Sequence, residues 1–198
     1  MKIDTKQAKK LIDLARQSIA DYFNDKKTEA SPAIKNEFGK KSGVFVSLYV
    51  KDELIGCIGY AEPLVPLYQA VTEVSRAAAF EDPRFPPMKK SQMKDLRIEI
   101  SVLTDPKEIE VNSPDGYPKK VKIGVDGLMV KDEFGWGLLL PQVAVEWGWD
   151  SKEFLNQTCK KAGLSPDCWD NMKRNVYKFQ AQVYTEKNGK IVEKKLVK

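Results

Sequence analysis

The 198-residue sequence contains no histidine. General acid–base chemistry near neutral pH falls most often to that side chain, the one whose unperturbed pKa lies within roughly pH 5 to 8. A Ser-His-Asp triad, a Cys-His pair and every histidine-bearing zinc site are excluded with it. Cysteine is scarce. The three cysteines are an odd number without paired spacing, a usage that fits a reducing cytoplasm, so a cytoplasmic protein is expected. Cys159 and Cys168 lack zinc-ligand spacing, and neither a metal site nor a cofactor is expected. No run approaches the ~20 apolar residues of a membrane-spanning helix. Met1-Lys2-Ile3-Asp4-Thr5-Lys6 opens without an apolar signal core, so neither membrane insertion nor secretion is expected. A phosphate-loop pattern is missing, and no Gly-x-Gly-x-x-Gly leads from a strand into a helix. Internal repeats and low-complexity tracts are also absent.

What is present is an ordinary globular composition, 42% hydrophobic and 31% charged, enough for one domain or a domain with two lobes. The net charge is +5, but lysines spread over the whole chain and mix with 28 acids. That mixture reads as a solvated Lys/Glu surface of the kind thermophilic proteins carry. Association with nucleic acid is the other reading of the charge, although basic residues do not interleave with aromatics as such surfaces require.

Apolar spacing predicts a helix over residues 4–24, with Ala8, Leu11, Ile12, Ala15 and Ile19 on one stripe and Asp4 or Thr5 as cap. Asn24 to Lys41 reads as a polar connector with at most a short helix. Val44, Val46, Leu48 and Val50 alternate, and Lys51-Asp52-Glu53 turns the chain into Leu54–Tyr60, giving a hairpin. A second helix is predicted from Pro66 to Ala79, then a strand over 97–104 with Ile98, Ile100 and Val102 on one side and Arg97, Glu99 and Ser101 on the other. Residues 105–120 read as a loop. Strands at 128–130 and 136–140, joined through Lys131–Gly135, precede a short helix at Pro141 and a longer one from Asp150 or Ser151 to Gly163. A final hairpin places Tyr177, Phe179, Ala181 and Val183 on one face and turns at Asn188-Gly189. Alternating strands with helices between groups of them predict an α+β fold with a mainly antiparallel sheet.

Two segments carry candidate chemistry. In Leu54-Ile55-Gly56-Cys57-Ile58-Gly59-Tyr60, strict alternation puts Ile55, Cys57 and Gly59 on one face and Leu54, Gly56, Ile58 and Tyr60 on the other. Gly56 and Gly59 lack Cβ, which lets a ligand or another backbone approach closely. Cys57 is a nucleophile if a cation lowers its pKa, or a small buried hydrophobe; spacing alone favours packing. In Glu81-Asp82-Pro83-Arg84-Phe85-Pro86-Pro87, three prolines stiffen a loop that presents Asp82 and Arg84. Arg84 suits a bidentate clamp on a carboxylate or phosphate of a small anionic ligand. The alternative is a local Asp82–Arg84 pair with Phe85 plugging the core. Gln142 is a further candidate polar orienter, and Glu146 an outside candidate for proton transfer. Trp147-Gly148-Trp149 reads as packing at a helix end or as a ligand platform.

The chain resembles the AMMECR family. The resemblance rests on Gly43-Val44-Phe45-Val46, Leu54–Gly59, Ala78-Ala79-Phe80-Glu81-Asp82-Pro83-Arg84-Phe85-Pro86-Pro87 and Ile100–Thr104. It continues through Ile123-Gly124-Val125-Asp126-Gly127-Leu128, Leu138–Ala144 and Phe154-Leu155. It covers nearly the whole chain. It implies a single domain over 1–198 with two subdomains and a groove between them, and no established activity. The family's Leu-Arg-Gly-Cys-Ile-Gly stretch has Ile55 here in place of arginine, which removes a cation expected beside the thiol. Prokaryotic relatives resemble one component of a trio with a Memo-like and a radical-SAM protein, so such partners are implied. The functional expectation is a ligand- or partner-binding module built around Cys57 and the Asp82–Phe85 loop. An enzyme component with Cys57 as reactive thiol is the alternative, and nucleic-acid association the third.

Overall fold

The computed structural model describes residues 2–132, 135–170 and 175–195. In chain order, helix α1 (Thr5–Tyr22) and the short α2 (Pro32–Glu37) precede strands β1 (Val44–Val50) and β2 (Glu53–Tyr60). Helix α3 (Leu67–Phe80) leads to β3 (Leu96–Leu103), β4 (Lys107–Glu108) and α4 (Gly116–Lys120). Strands β5 (Gly127–Asp132) and β6 (Gly135–Leu139) follow, then α5 (Pro141–Trp147) and α6 (Ser151–Lys161). The chain closes with β7 (Asn175–Phe179), β8 (Ala181–Lys187) and β9 (Lys190–Glu193). The fold is α+β with antiparallel pairing in both of its sheets. No helix among the described residues is long and apolar enough to cross a membrane.

The chain divides into two compact units, Met1–Leu103 with Gln182–Lys194, and Thr104–Ala181 with Lys195–Lys198. The first is built on a five-stranded sheet in the order β2-β1-β3-β8-β9. Helices α1 and α3 pack together on one face of it, through the fully buried Leu11, Ile12 and Ile19 and the stripe Leu67, Ala70, Val71, Val74 and Ala78. Burying each large aliphatic side chain contributes about 1.5–3 kcal/mol, which makes this layer the main source of the unit's stability. Helix α1 starts where the sequence places its cap: the Asp4 carboxylate accepts from the Gln7 N–H, and Gln7 returns the bond, closing a capping box. The β1–β2 turn puts Lys51 and Asp52 at positive φ, as a two-residue hairpin turn demands.

The second unit has the sheet order β4-β7-β5-β6, covered by α6 over Leu128, Val130, Phe154, Leu155 and Val176. Helix α6 passes so close to β6 that a Cβ on Gly137 would lie 2.3 Å from the Ala162 nitrogen. The sequence reads 105–120 as loop; the structure adds β4 and α4 there, elements too short for periodicity to reveal. Of the expected Lys131–Gly135 connection, residues 133 and 134 lie outside the described residues.

Two expectations are corrected. The strand predicted through Tyr177 to Val183 is two strands, in different sheets, broken at Gln180. Gln180 turns there to exchange hydrogen bonds with Thr104, whose N–H donates to its carbonyl and whose Oγ1 accepts from its N–H. The cysteine count also misleads. Cys159 and Cys168 form a disulfide, leaving Cys57 as the free thiol. Their separation of nine positions hides this pairing, because Gly163 at φ +76° ends α6 and sends the chain back across it. Reducing the purified protein is expected to lower its stability by about 2–3 kcal/mol, the entropy of a loop this short. Thermal melts with and without a phosphine reductant check this, and coincident melts would contradict it.

Candidate functional site

The sheet face away from α1 and α3 is polar. Alternation along β1 puts Phe45 and Ser47 there, and the strand register sets Ser47 opposite Cys57 on β2 and opposite Glu99 on β3. The result is a row Cys57–Ser47–Glu99 across three strands. The Ser47 hydroxyl donates to the Cys57 Sγ at 3.1 Å, and the buried Glu99 carboxylate faces Lys194 Nζ at 3.5 Å. Sequence reasoning missed Ser47 and did not place Glu99 in this row. Their position in the period-2 pattern gave the face, but only the register gave the partners.

The two glycines have different reasons. At Gly56 a Cβ would stand 1.9 Å from the Ala78 carbonyl oxygen, so the close approach is made by helix α3 itself. At Gly59 the ring of Phe45 occupies the space a Cβ would take, at 2.3 Å. Just before Gly56 the strand carries a bulge. Leu48 pairs with Gly56 but Tyr49 pairs with Leu54, so Ile55 is the extra residue. This overturns the expected faces: Ile55 packs against the α1–α3 core, and Leu54 pairs with Tyr49, on the side of Ser47 and Cys57. The position that carries arginine in the AMMECR pattern therefore leads away from the thiol here.

The proline-stiffened loop folds back onto β2. The Asp82 carboxylate, only 2% exposed, accepts from the Cys57 N–H (2.9 Å), the Arg84 N–H (3.1 Å), Arg84 Nε (3.0 Å) and Arg84 Nη2 (2.8 Å). Arg84 Nη2 also donates to the Cys57 carbonyl at 2.9 Å. Both backbone groups of Cys57 are thus held by the Asp82–Arg84 pair. The hydrogen bonds from the Arg84 side chain, helped by those from the two backbone N–H groups, hold the Asp82 carboxyl down at about 2 against the opposing effect of burial. Burial instead pushes the Cys57 thiol up; the Ser47 hydroxyl and the Arg84 charge pull the other way but lose, and Asp82 and Glu99 add to the rise. Phe85 does not plug the core: it is half-buried, with the Arg84 guanidinium 5.3 Å from its ring centre. The Nη1 group of Arg84, half exposed on a side chain at 52%, has no hydrogen-bond partner among the described residues.

Gly56, Cys57, Gly59, Asp82, Arg84 and Phe85 therefore come together in the first unit, while Gln142 and Glu146 belong to α5 of the second. Gln142 is buried with its Oε1 lacking a partner among the described residues, and Glu146 is exposed. On the same helix Trp147 is 70% exposed and stacks on Trp149 at 5.9 Å. No three His, Cys, Asp or Glu side chains converge as metal ligands among the described residues.

Comparison with known proteins supplies the lineage. The AMMECR1 family model matches residues 12–184. The chain belongs to the AMMECR1 family. A protein of Methanothermobacter thermautotrophicus is 47% identical over 181 residues, covering 91% of this chain and 94% of that protein. Protein MK0488 of Methanopyrus kandleri is 47% identical over 189 residues, covering 93% and 91%. The crystal structure of the uncharacterized protein PH0010 from Pyrococcus horikoshii aligns over 98% of this chain and 100% of its own, with 43% identity and a TM-score of 0.93. The α+β architecture is thus that of the AMMECR1 family. These relatives bring no established activity with them.

Proposed function

We propose that this AMMECR1-family chain is a binding module whose recognition element is the Asp82–Phe85 loop together with β2 around Cys57. The observation that carries this reading is the way Arg84 is held. Its Nε and Nη2 are fixed by Asp82 and the Cys57 carbonyl, and Nη1 is left to meet an acceptor. A guanidinium immobilised before binding loses little conformational entropy when it pairs with a carboxylate or phosphate. The aromatic ring of Phe85 beside it adds apolar contact, as recognition of an acidic peptide segment or a small anionic ligand requires. Cys57 serves as a neutral packing thiol in this reading, with Gly56 and Gly59 shaping the strand. The Memo-like and radical-SAM proteins implied by family resemblance are its candidate partners.

The alternative is an enzyme component with Cys57 as reactive thiol, favoured by the Ser47 hydrogen bond and the Arg84 charge. One experiment separates the readings. Affinity capture with the Memo-like and radical-SAM proteins of the same source is expected to fail for Arg84→Ala and to survive Cys57→Ser. Iodoacetamide labelling of Cys57 is expected to be slow below pH 9 and fast after unfolding. Capture by Arg84→Ala counts against the module, whereas rapid alkylation at neutral pH favours the enzyme. Association with nucleic acid is tested by salt-titrated filter binding, where retention that collapses with added salt is the positive result.

A further inference from the structure

The polar connector after α1 is more than a tether. It folds against α3 to form an open cavity of about 450 Å³, within the range that small ligands occupy. Tyr68, Thr72 and Arg76 recur at four-residue steps on α3 and so line it from one helix face. Lys27 from the connector and Lys35 from α2 face the same space. The side chains of Arg76, Lys27 and Lys35 have no ion-pair or hydrogen-bond partner among the described residues. The carboxylates on the cavity wall are Glu29 and Glu73, and Glu73 is already engaged by the Tyr60 hydroxyl at 2.9 Å and the Gln69 amide at 2.8 Å.

Arg76 is also held in place. Its guanidinium lies 5.3 Å from the ring centre of Tyr22, which stacks on Phe80 at 3.9 Å. Arg76 Nε and Thr28 Oγ1 are shielded from solvent and have no hydrogen-bond partner among the described residues. Buried polar groups of this kind are rarely left unpaired, and a charged donor is the costliest to leave so. The Nη groups of Arg76 are not shielded in this way, and they are what an acceptor seated in the cavity would meet.

We propose that this cavity is a binding site for a small oxyanion, held by Arg76, Lys27 and Lys35. Three cations outnumber the two carboxylates by one, and Glu73 is already turned to Tyr60 and Gln69, so the shared chemistry is that of a phosphate or carboxylate group. The site is separate from the Arg84 element and stands or falls independently of it.

Isothermal titration calorimetry of the full chain with pyrophosphate and with citrate, at low ionic strength, tests the proposal. A single site is expected for at least one probe, and the tighter of the two identifies the source of the charge. Arg76→Gln, and separately the exposed pair Lys27→Gln with Lys35→Gln, are expected to weaken it at least tenfold. The control pair Lys187→Gln with Lys195→Gln is expected to leave it unchanged. The lysine pair keeps the test valid if Arg76→Gln melts early by circular dichroism. Absence of heat with both probes at millimolar concentration, or equal affinity in the cavity variants and wild type, would overturn it.

Discussion

Replacing Gly56 with alanine is expected to destabilise the first unit by about 3 kcal/mol or more, at the upper end of what overpacking a core costs. The new Cβ would sit 1.9 Å from the Ala78 carbonyl oxygen and 2.8 Å from its carbonyl carbon. Both are backbone atoms of a helix pinned to the sheet by Leu67, Ala70, Val71, Val74 and Ala78, so no rotamer change relieves the clash. Either α3 lifts from β2 or the strand shifts, and each opens the apolar layer. Gly189→Ala is the matched control. That glycine lies at φ +71° with no atom near its would-be Cβ, so it carries only the left-handed backbone cost of about 1–2 kcal/mol. Urea unfolding of both variants reads the contrast. Equal midpoints would mean that the α3–β2 contact is looser than the geometry requires.

Asp82→Asn is expected to cost about 2–3 kcal/mol at neutral pH and to lower the melting temperature by roughly 5–10 °C. The lower part of the range for broken buried pairs applies because Arg84, at 52% exposed, regains water when its partner is neutralised. The amide keeps one acceptor but presents an NH₂ toward the N–H groups of Cys57 and Arg84. The sign of the pH dependence follows from the carboxyl being held at about 2, below its ordinary 3.8. Such a group contributes fully above the unfolded value, and that contribution disappears as pH falls through the folded one. The stability gap between wild type and Asp82→Asn is therefore expected to be constant above about pH 5, to narrow between about pH 4 and pH 2, and to close below that. At about 1.4 kcal/mol per unit the carboxyl itself accounts for about 2.5 kcal/mol of the gap. A gap that persists unchanged at pH 2 would show that the pair is not what holds the loop to β2.

Both predictions concern residues that stood out in the sequence, and the reason they stood out differs from what the fold does with them. In the sequence Gly56 marks a place where a ligand or backbone comes close, and the partner is the chain's own helix. Asp82 and Arg84 were open between a clamp and a local pair. The loop makes the pair and uses it to grip both backbone groups of Cys57, which a list of residue types does not contain. The bulge at Ile55 is the sharpest case. Strict alternation assigned it to the thiol's face, and one additional residue in β2 moved it to the other. A bulge leaves no mark in an apolar run such as Leu-Ile-Gly-Cys-Ile, since every residue in it is compatible with either side.

Local and periodic features were fixed by the chain alone. These are the capped helix α1, the apolar stripe of α3, the β1–β2 and β8–β9 hairpins, the α+β class and the kinship with the AMMECR1 family. Each depends on neighbours within a few residues, where backbone propensity and burial speak with one voice. Tertiary structure alone decided the division of the 175–187 stretch between two sheets, the joining of Cys159 to Cys168, the row Cys57–Ser47–Glu99, and the closure of the connector over Arg76. All of these are contacts between segments brought together by packing, and strand register or the close of a helix sets them through three-dimensional fit rather than through any spacing along the chain.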